Sequence, residues 1–538
     1  MMNEKFARWN VLFAQYLKRD WKKIIFWILG VGLFSGAFIP AFEEIAKGQG
    51  AAGMFETMQN PAMISMVGPT PITNGADYTV GAMYAHEMLL FCGLFAMILS
   101  ILHVVGHTRK EEDLGLTELI RSFRVGRQAN SLAVLIETIL INLASAVVIA
   151  GLMIGFNVAT VTVEGSILFA SSVALAGILG AVIALVMAQI MPISSGATGS
   201  SLAIIGLLYI IRAGTDISNL DLSRINPLSW VYLTYPFTTN DWLPIVYGVI
   251  FSFVLTIAAF VLEESRDMGG GYLPERNGRA TAKKSLLSVP GLFLRINRGV
   301  AVSWMIAFVV MGAAYGSIYG DMQSFLESND LVKHMFTASG VSIEASFTST
   351  IMIVMIGLSA ILPIAIVNKL FAEEVRLHLS QLYATKVTRG KLYWTTITLA
   401  IVAGLLSVLL SAGSLGASAL SVMSNDSAMN LQDFLAAGYN LFPIVLFFIG
   451  LAAVALGWVP KLGKLVYAYL AYSFMLNYFG GILDLPDWFA KTAIQSWPPH
   501  MPMEKFDLPT FITITIISIV LIIFGYLGYK RRDMVEGA

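Results

Sequence analysis

Twelve largely apolar stretches recur along this chain; eleven have about 20 residues or more, long enough as helices to cross the hydrocarbon core of a bilayer, and the fifth is shorter. The first six run approximately Ile24–Phe42, His86–Val105, Leu132–Gly155, Ile167–Ile190, Gly199–Ile211 and Pro244–Leu262. The next six run approximately Val300–Tyr319, Phe347–Val367, Tyr393–Ala412, Gly438–Trp458, Leu462–Gly480 and Thr510–Tyr529. In lipid every backbone N–H and C=O must be bonded within the protein, so runs of this length can only be helices. Charged residues make up 13% of the chain, against about 25% in soluble proteins. The expected fold is an all-α integral membrane protein with about 12 transmembrane helices, the fifth being the shortest. The first run is long enough to span and lacks a small-residue cleavage site, so no cleaved leader is expected.

Orientation follows from the basic residues. With the N-terminus inside, 28 of the 34 Lys and Arg residues fall in cytoplasmic connections, which places both termini in the cytoplasm. Lys+Arg and Asp+Glu balance at 34 each, so nothing points to nucleic acid. One cysteine, Cys92, excludes an internal disulfide and any cysteine-built metal cluster.

The chain also repeats itself. Glu111-Glu112 and Val125-Gly126-Arg127, after the second span, recur as Glu373-Glu374 and Val387-Thr388-Arg389 after the eighth, at an offset of 262. Leu220-Asp221-Leu222 recurs as Leu483-Asp484-Leu485, and Arg266-Asp267-Met268 as Arg532-Asp533-Met534. Gly32-x-x-x-Gly36 has its counterpart in Gly312-x-x-x-Gly316. Four matches in one order imply two fused six-span halves. An even span count makes them parallel repeats that enclose a pathway between them.

The first half is expected over residues 1–268, with an amphipathic helix at 5–19 and a charged loop at 107–131. A cytoplasmic linker and second amphipathic helix cover 269–299, and the second half covers 300–538 with its loop at 368–392. Residues 213–243 and 481–509 mix aromatics with prolines and read as re-entrant or interfacial hairpins.

Catalytic signals are lacking. The chain has no phosphate-binding Gly-x-x-x-x-Gly-Lys-Ser/Thr loop and no Gly-x-Ser-x-Gly elbow. His103 and His107 lie four apart with no third ligand nearby, so no metal site is expected.

The paired cytoplasmic loops carry a resemblance. Glu111-x-Asp113-x-Gly115-x-x-Glu118-Leu119-Ile120, then Val125-x-Arg127, resembles the coupling-helix region of type-2 ATP-binding-cassette (ABC) exporter permeases. The second copy keeps Glu373, Leu382, Ala384-Thr385, Val387 and Arg389. Arg124 and Lys386 replace the family's proline, and Leu377 replaces its glycine. Ser265-Arg266-Asp267-Met268-Gly269-Gly270-Gly271, with Pro274 and Gly278-Arg279-Ala280, resembles the linker of fused two-half permeases that export polyketide-type antibiotics.

That resemblance implies a permease moving an amphipathic drug- or antibiotic-like substrate out across a bacterial-type plasma membrane. It implies a separate cytosolic ATPase, in two copies, that binds ATP and Mg and docks on both loops. This chain would then be no enzyme and hold no cofactor. Glu111, Glu112, Gly115, Glu118, Arg127, Glu373, Glu374 and Arg389 would serve the coupling. Phe34, Phe38, Phe91, Phe95, Phe308 and Tyr315 are candidates to line an apolar pathway. A proton-coupled secondary transporter, with Glu137 as its acid, and an ABC permease for lipid or cell-wall precursors remain alternatives. Glu137 sits about five residues into its span, near headgroup depth, where snorkelling or interhelical pairing competes with a proton relay.

Overall fold

The computed structural model describes residues 2–47, 50–59, 61–274, 280–321, 343–423, 429–483 and 486–534. Asp484 and Leu485 of the repeated triplet, Gly278 and Arg279 of the linker and most of the outer connection 320–346 lie outside them. Contacts divide the chain into two units, Met1–Gly278 and Arg279–Ala538. Among the described residues every regular element is helical, and eleven helices are long and apolar enough to cross a membrane.

In the first unit the long helices are α1 (Trp9–Gly36), α2 (Val80–His107), α4 (Ala129–Gly155), α5 (Val163–Ile190), α6 (Ser194–Ser218) and α7 (Leu243–Ser265), with a short α3 (Leu116–Arg121) between α2 and α4. Thr79 and Thr162 cap α2 and α5 by accepting the N–H of Ala82 and Gly165. Helix α5 is the centre of the unit. Its small residues let neighbours close in: a Cβ on Gly180 would sit 2.7 Å from the Met97 carbonyl oxygen of α2. Gly32 and Gly36 do the same for α1 against Val148, Ile149 and Leu152 of α4, so the Gly-x-x-x-Gly pattern serves helix packing.

In the second unit the helices are α8 (Val289–Ser317), α9 (Ile343–Ser359), α10 (Ile361–Val375), α11 (His378–Tyr383), α12 (Arg389–Val422), α13 (Leu431–Asn440), α14 (Phe442–Trp458), α15 (Leu465–Leu483) and α16 (Leu508–Arg531). The predicted eighth and tenth spans are each two helices, broken at Ala360 and Leu441. Pro363 and Pro443 follow within three residues of the breaks and remove a backbone donor at each. Gly312 and Gly316 press α8 onto α12.

Two expectations change. The predicted amphipathic helix at 5–19 is not a separate element, since α1 runs unbroken from Trp9 to Gly36, and α8 likewise runs from Val289 into its span. No proline follows the first turn of either helix, so nothing forces a break. The fifth span is not short either: α6 has 25 residues. The apolar run stopped at Arg212, but the helix does not. Arg212 is fully buried, paired at 2.9 Å with Asp216 one turn on and bonded to the carbonyls of Ser65 and Met66.

The segment before α7 is packed in protein, as a re-entrant reading requires. Leu228, Ser229, Val231, Tyr232, Leu233 and Thr234 are buried, and the Tyr232 hydroxyl donates to Asp216. Burial and the Asp216 charge push that phenol above its ordinary pKa, so it stays a donor.

Candidate functional site

Both repeated loops have the same backbone turn. After α2 and the short helical turn Arg109–Asp113, Gly115 adopts a left-handed φ of 73° and launches α3. After α10, Leu377 adopts φ 63° and launches α11. The side chain replacing the family's glycine is therefore held in the conformation glycine would take. That costs a non-glycine residue about 1–2 kcal/mol.

The repeated charges meet each other. Glu112 takes two bonds from the Arg266 guanidinium, at 2.6 and 2.8 Å, and a third from the Gly269 N–H at 2.6 Å. Glu374 takes two from Arg532, at 2.5 and 2.6 Å. Arg127 donates to the carbonyl of Arg266, and Arg389 to that of Arg532. Each half thus fastens its loop to the end of its last long helix, α7 or α16, by a forked acid–arginine clamp with planar complementarity. Of the residues expected to serve the coupling, Glu112 and Glu374 face Arg266 and Arg532, while Arg127 is exposed and Arg389 half-buried. The two carboxylates have side chains only 8% and 1% exposed and are used inside the chain. The signal was in the sequence, because both members of each clamp recur at nearly one offset.

The neighbouring acids are also internal. Glu111 is buried, bonded to Arg19 at 2.9 Å and Tyr16 at 3.2 Å. Glu373 is buried against His378 and Lys369, at 2.6 and 3.3 Å. From Glu111 a polar chain runs through the first unit. Arg19, Lys23 and His107 surround the buried Asp20, the His107 ring lies tilted against His103 at 4.2 Å, and His103 reaches Glu137 at 3.2 Å. Glu137 is completely buried, so headgroup contact is excluded and interhelical pairing is what the structure shows. Asp20 and Arg109 are residues the sequence reading missed. Arg109, itself 1% exposed, wraps the linker by donating to the carbonyls of Gly269, Gly270 and Pro192.

The first loop turns large apolar side chains outward, beside the exposed Asp113, Ser122 and Arg124. Leu114, Leu116, Leu119 and Phe123 are 65%, 43%, 64% and 69% exposed, with Glu118 and Gly115 exposed among them. The second loop presents Leu377 beside the exposed polar residues Ser380, Gln381, Thr385 and Lys386.

Of the pathway candidates, Phe34, Phe38 and Phe95 form one partly exposed cluster, with Phe34 5.2 Å from Phe95 and 6.3 Å from Phe38. Phe91 is half-buried on α2. Phe308 is fully buried beside Trp304, where α8 packs tightly on α12. Tyr315 is half-buried against that core. Among the described residues no three His, Cys, Asp or Glu side chains gather as a metal site.

Residues 286–530 match the family described as the C-terminal domain of the multidrug efflux system permease Rv1217c. The sequence is also 25% identical to the multidrug efflux system permease protein Rv1217c of Mycobacterium tuberculosis over 529 residues, covering 97% of this chain and 94% of that protein. The chain is a homologue of a multidrug efflux permease, collinear with it over nearly its whole length.

Proposed function

We propose, from that homology and the loop geometry, that this chain is the membrane-spanning permease of an ATP-driven ABC exporter. Its substrate is an amphipathic drug- or antibiotic-like molecule moved outward from the cytoplasm or inner leaflet. A separate cytosolic ATPase, in two copies with ATP and Mg, docks on α3 and α11. The observation that carries the reading is an apolar face on a clamped loop. A soluble-side loop that exposes Leu116, Leu119 and Phe123 has a partner-sized hydrophobic contact to cover. The clamp behind it ties any displacement of α3 directly to α7, and the second clamp ties α11 to α16. Glu118 and Gly115 belong to the docking face; Glu111, Glu112, Arg127, Glu373, Glu374 and Arg389 hold it in place. In this reading the two halves are parallel six-helix repeats with both termini in the cytoplasm.

The test compares Leu119→Asp and Phe123→Asp with the parent chain. Both variants should insert and melt normally, lose association with the purified ATPase, and lose drug export. The purified chain alone should hydrolyse no ATP. Export from proteoliposomes driven by a proton gradient without any ATPase would overturn the reading in favour of a secondary transporter. A cysteine at Gln59 should label from outside intact cells, and one at Glu118 only after permeabilisation.

A further inference from the structure

Equivalent positions in the two units have opposite fates at the start of the third long helix. In the first unit the N-terminal segment lies across it. The N–H groups of Gly126 and Gln128 donate to the carbonyls of Ala7 and Lys5 at 3.0 and 2.9 Å. Phe6 meets Phe260 of α7 edge-on at 5.4 Å, and Lys5 pairs with Glu264. This close approach requires glycine, since a Cβ on Gly126 would lie 2.3 Å from the Lys5 carbonyl oxygen.

In the second unit the repeat places Thr388 at the Gly126 position, Tyr526 at that of Phe260 and Lys530 at that of Glu264. Thr388 caps α12 by accepting the Lys391 N–H, and no preceding segment crosses it among the described residues. An open groove of about 620 Å³ remains, within the roughly 300–1,000 Å³ range of ligand clefts. Its walls include Pro290 and Leu294 of α8, Trp394, Thr395 and Val402 of α12, and Tyr526 of α16. Among the described residues no carboxylate lines it. Lys391 is at its edge and Lys530 stands one turn beyond Tyr526; both are exposed and form no salt bridge among the described residues.

We propose that this groove binds an acidic phospholipid, one acyl chain lying against Leu294, Trp394 and Tyr526 with its phosphate between Lys391 and Lys530. The first half fills the same place with Phe6 and neutralises its acid with Lys5. The second half reverses the sign at the rim, exchanging Glu264 for Lys530, and so requires an apolar occupant bearing negative charge. Lysines at the membrane surface beside an apolar cleft attract anionic headgroups. The site is independent of the ATPase reading, for it uses no residue of the docking face.

The test uses the full chain in nanodiscs containing phosphatidylglycerol or phosphatidylcholine that carries a photoactivatable diazirine on one acyl chain. After irradiation and digestion, peptides from 388–402 should be labelled at least fivefold more by phosphatidylglycerol. Lys391→Ala with Lys530→Ala should level the two lipids. Thr395→Trp, or Leu294→Trp if the first variant does not give a monodisperse protein, should abolish labelling. Phe6→Ala should open the first-half counterpart and bring label into 126–140 without preference for the acidic lipid. Equal labelling by both lipids in the parent overturns the proposal. So does displacement of the label by a cationic efflux dye, which would make the groove a substrate chamber, or labelling that persists when the groove is filled.

Discussion

Removing the Glu112 carboxylate separates the two roles this residue could have. In Glu112→Ala, Arg266 loses a forked partner and Arg109, 3.2 Å from the same carboxylate, loses its nearest acid. The Gly269 N–H loses its acceptor as well. Both guanidiniums are nearly buried, with side chains 9% and 1% exposed. Orphaning a buried charge costs about 3–5 kcal/mol. Gln189 and the Gly270 carbonyl still hold Arg266, which favours the lower part of that range. A change of this size shifts melting by about 2–4 °C per kcal/mol in a unit of a few hundred residues, so a loss of about 6–12 °C is expected. The single cysteine supplies the assay. Cys92 is buried on α2, the helix that leads into this loop, and reacts with a thiol-sensitive dye only when the first unit opens. Glu118→Ala, on the exposed face, is the control and should melt with the parent. If Glu112→Ala melted within about 2 °C of the parent yet failed to bind the proposed ATPase, Glu112 would face that partner and the clamp would be refuted.

Leu377→Gly should relieve the left-handed backbone and stabilise the second unit by about 0.5–1 kcal/mol after glycine's own entropy cost, and Gly115→Leu should destabilise the first by about the same; thermal melts of the two variants must move in opposite directions. Gly312→Val drives its side chain into Ser414 and the Ser411 carbonyl and should destabilise by about 3 kcal/mol, while Gly299→Ala, with open space around it, should be neutral or better by the same measurement. Glu137→Gln preserves a partner for His103 and should leave drug export intact; a well-folded variant with no export would instead support proton coupling.

Most of the fold was legible because lipid leaves helices no alternative, and eleven long apolar helices stand where runs were read. The errors arose where polarity interrupted a run without ending the helix. Arg212 is satisfied by Asp216 and two carbonyls, a solution visible only in three dimensions, so α6 looked truncated. Asp20 likewise disappears into Arg19, Lys23 and His107, which lets α1 continue where charge suggested a surface helix. At the candidate site, the loops and their recurrence could be read, but the direction of each acid could not. A Glu-Glu pair on a charged loop looks solvated until its arginine partner, more than 150 residues away, is brought beside it. The exposed Leu119 and Phe123 were overlooked for the opposite reason, since apolar residues between two spans do not stand out in a chain that is 57% hydrophobic.

The acid–arginine clamps also impose an order on synthesis. Glu112 emerges from the ribosome long before Arg266, and Glu374 long before Arg532, so each loop waits unfastened while four further long helices of its unit are made. The second loop can close only after residue 532 has emerged, when every apolar run read above has been made. A nascent chain that stalls before that point has its spans but lacks the bond that stiffens α11 against α16. Closure of the second loop therefore reports that residue 532 has been reached, four long helices after the acid that it clamps.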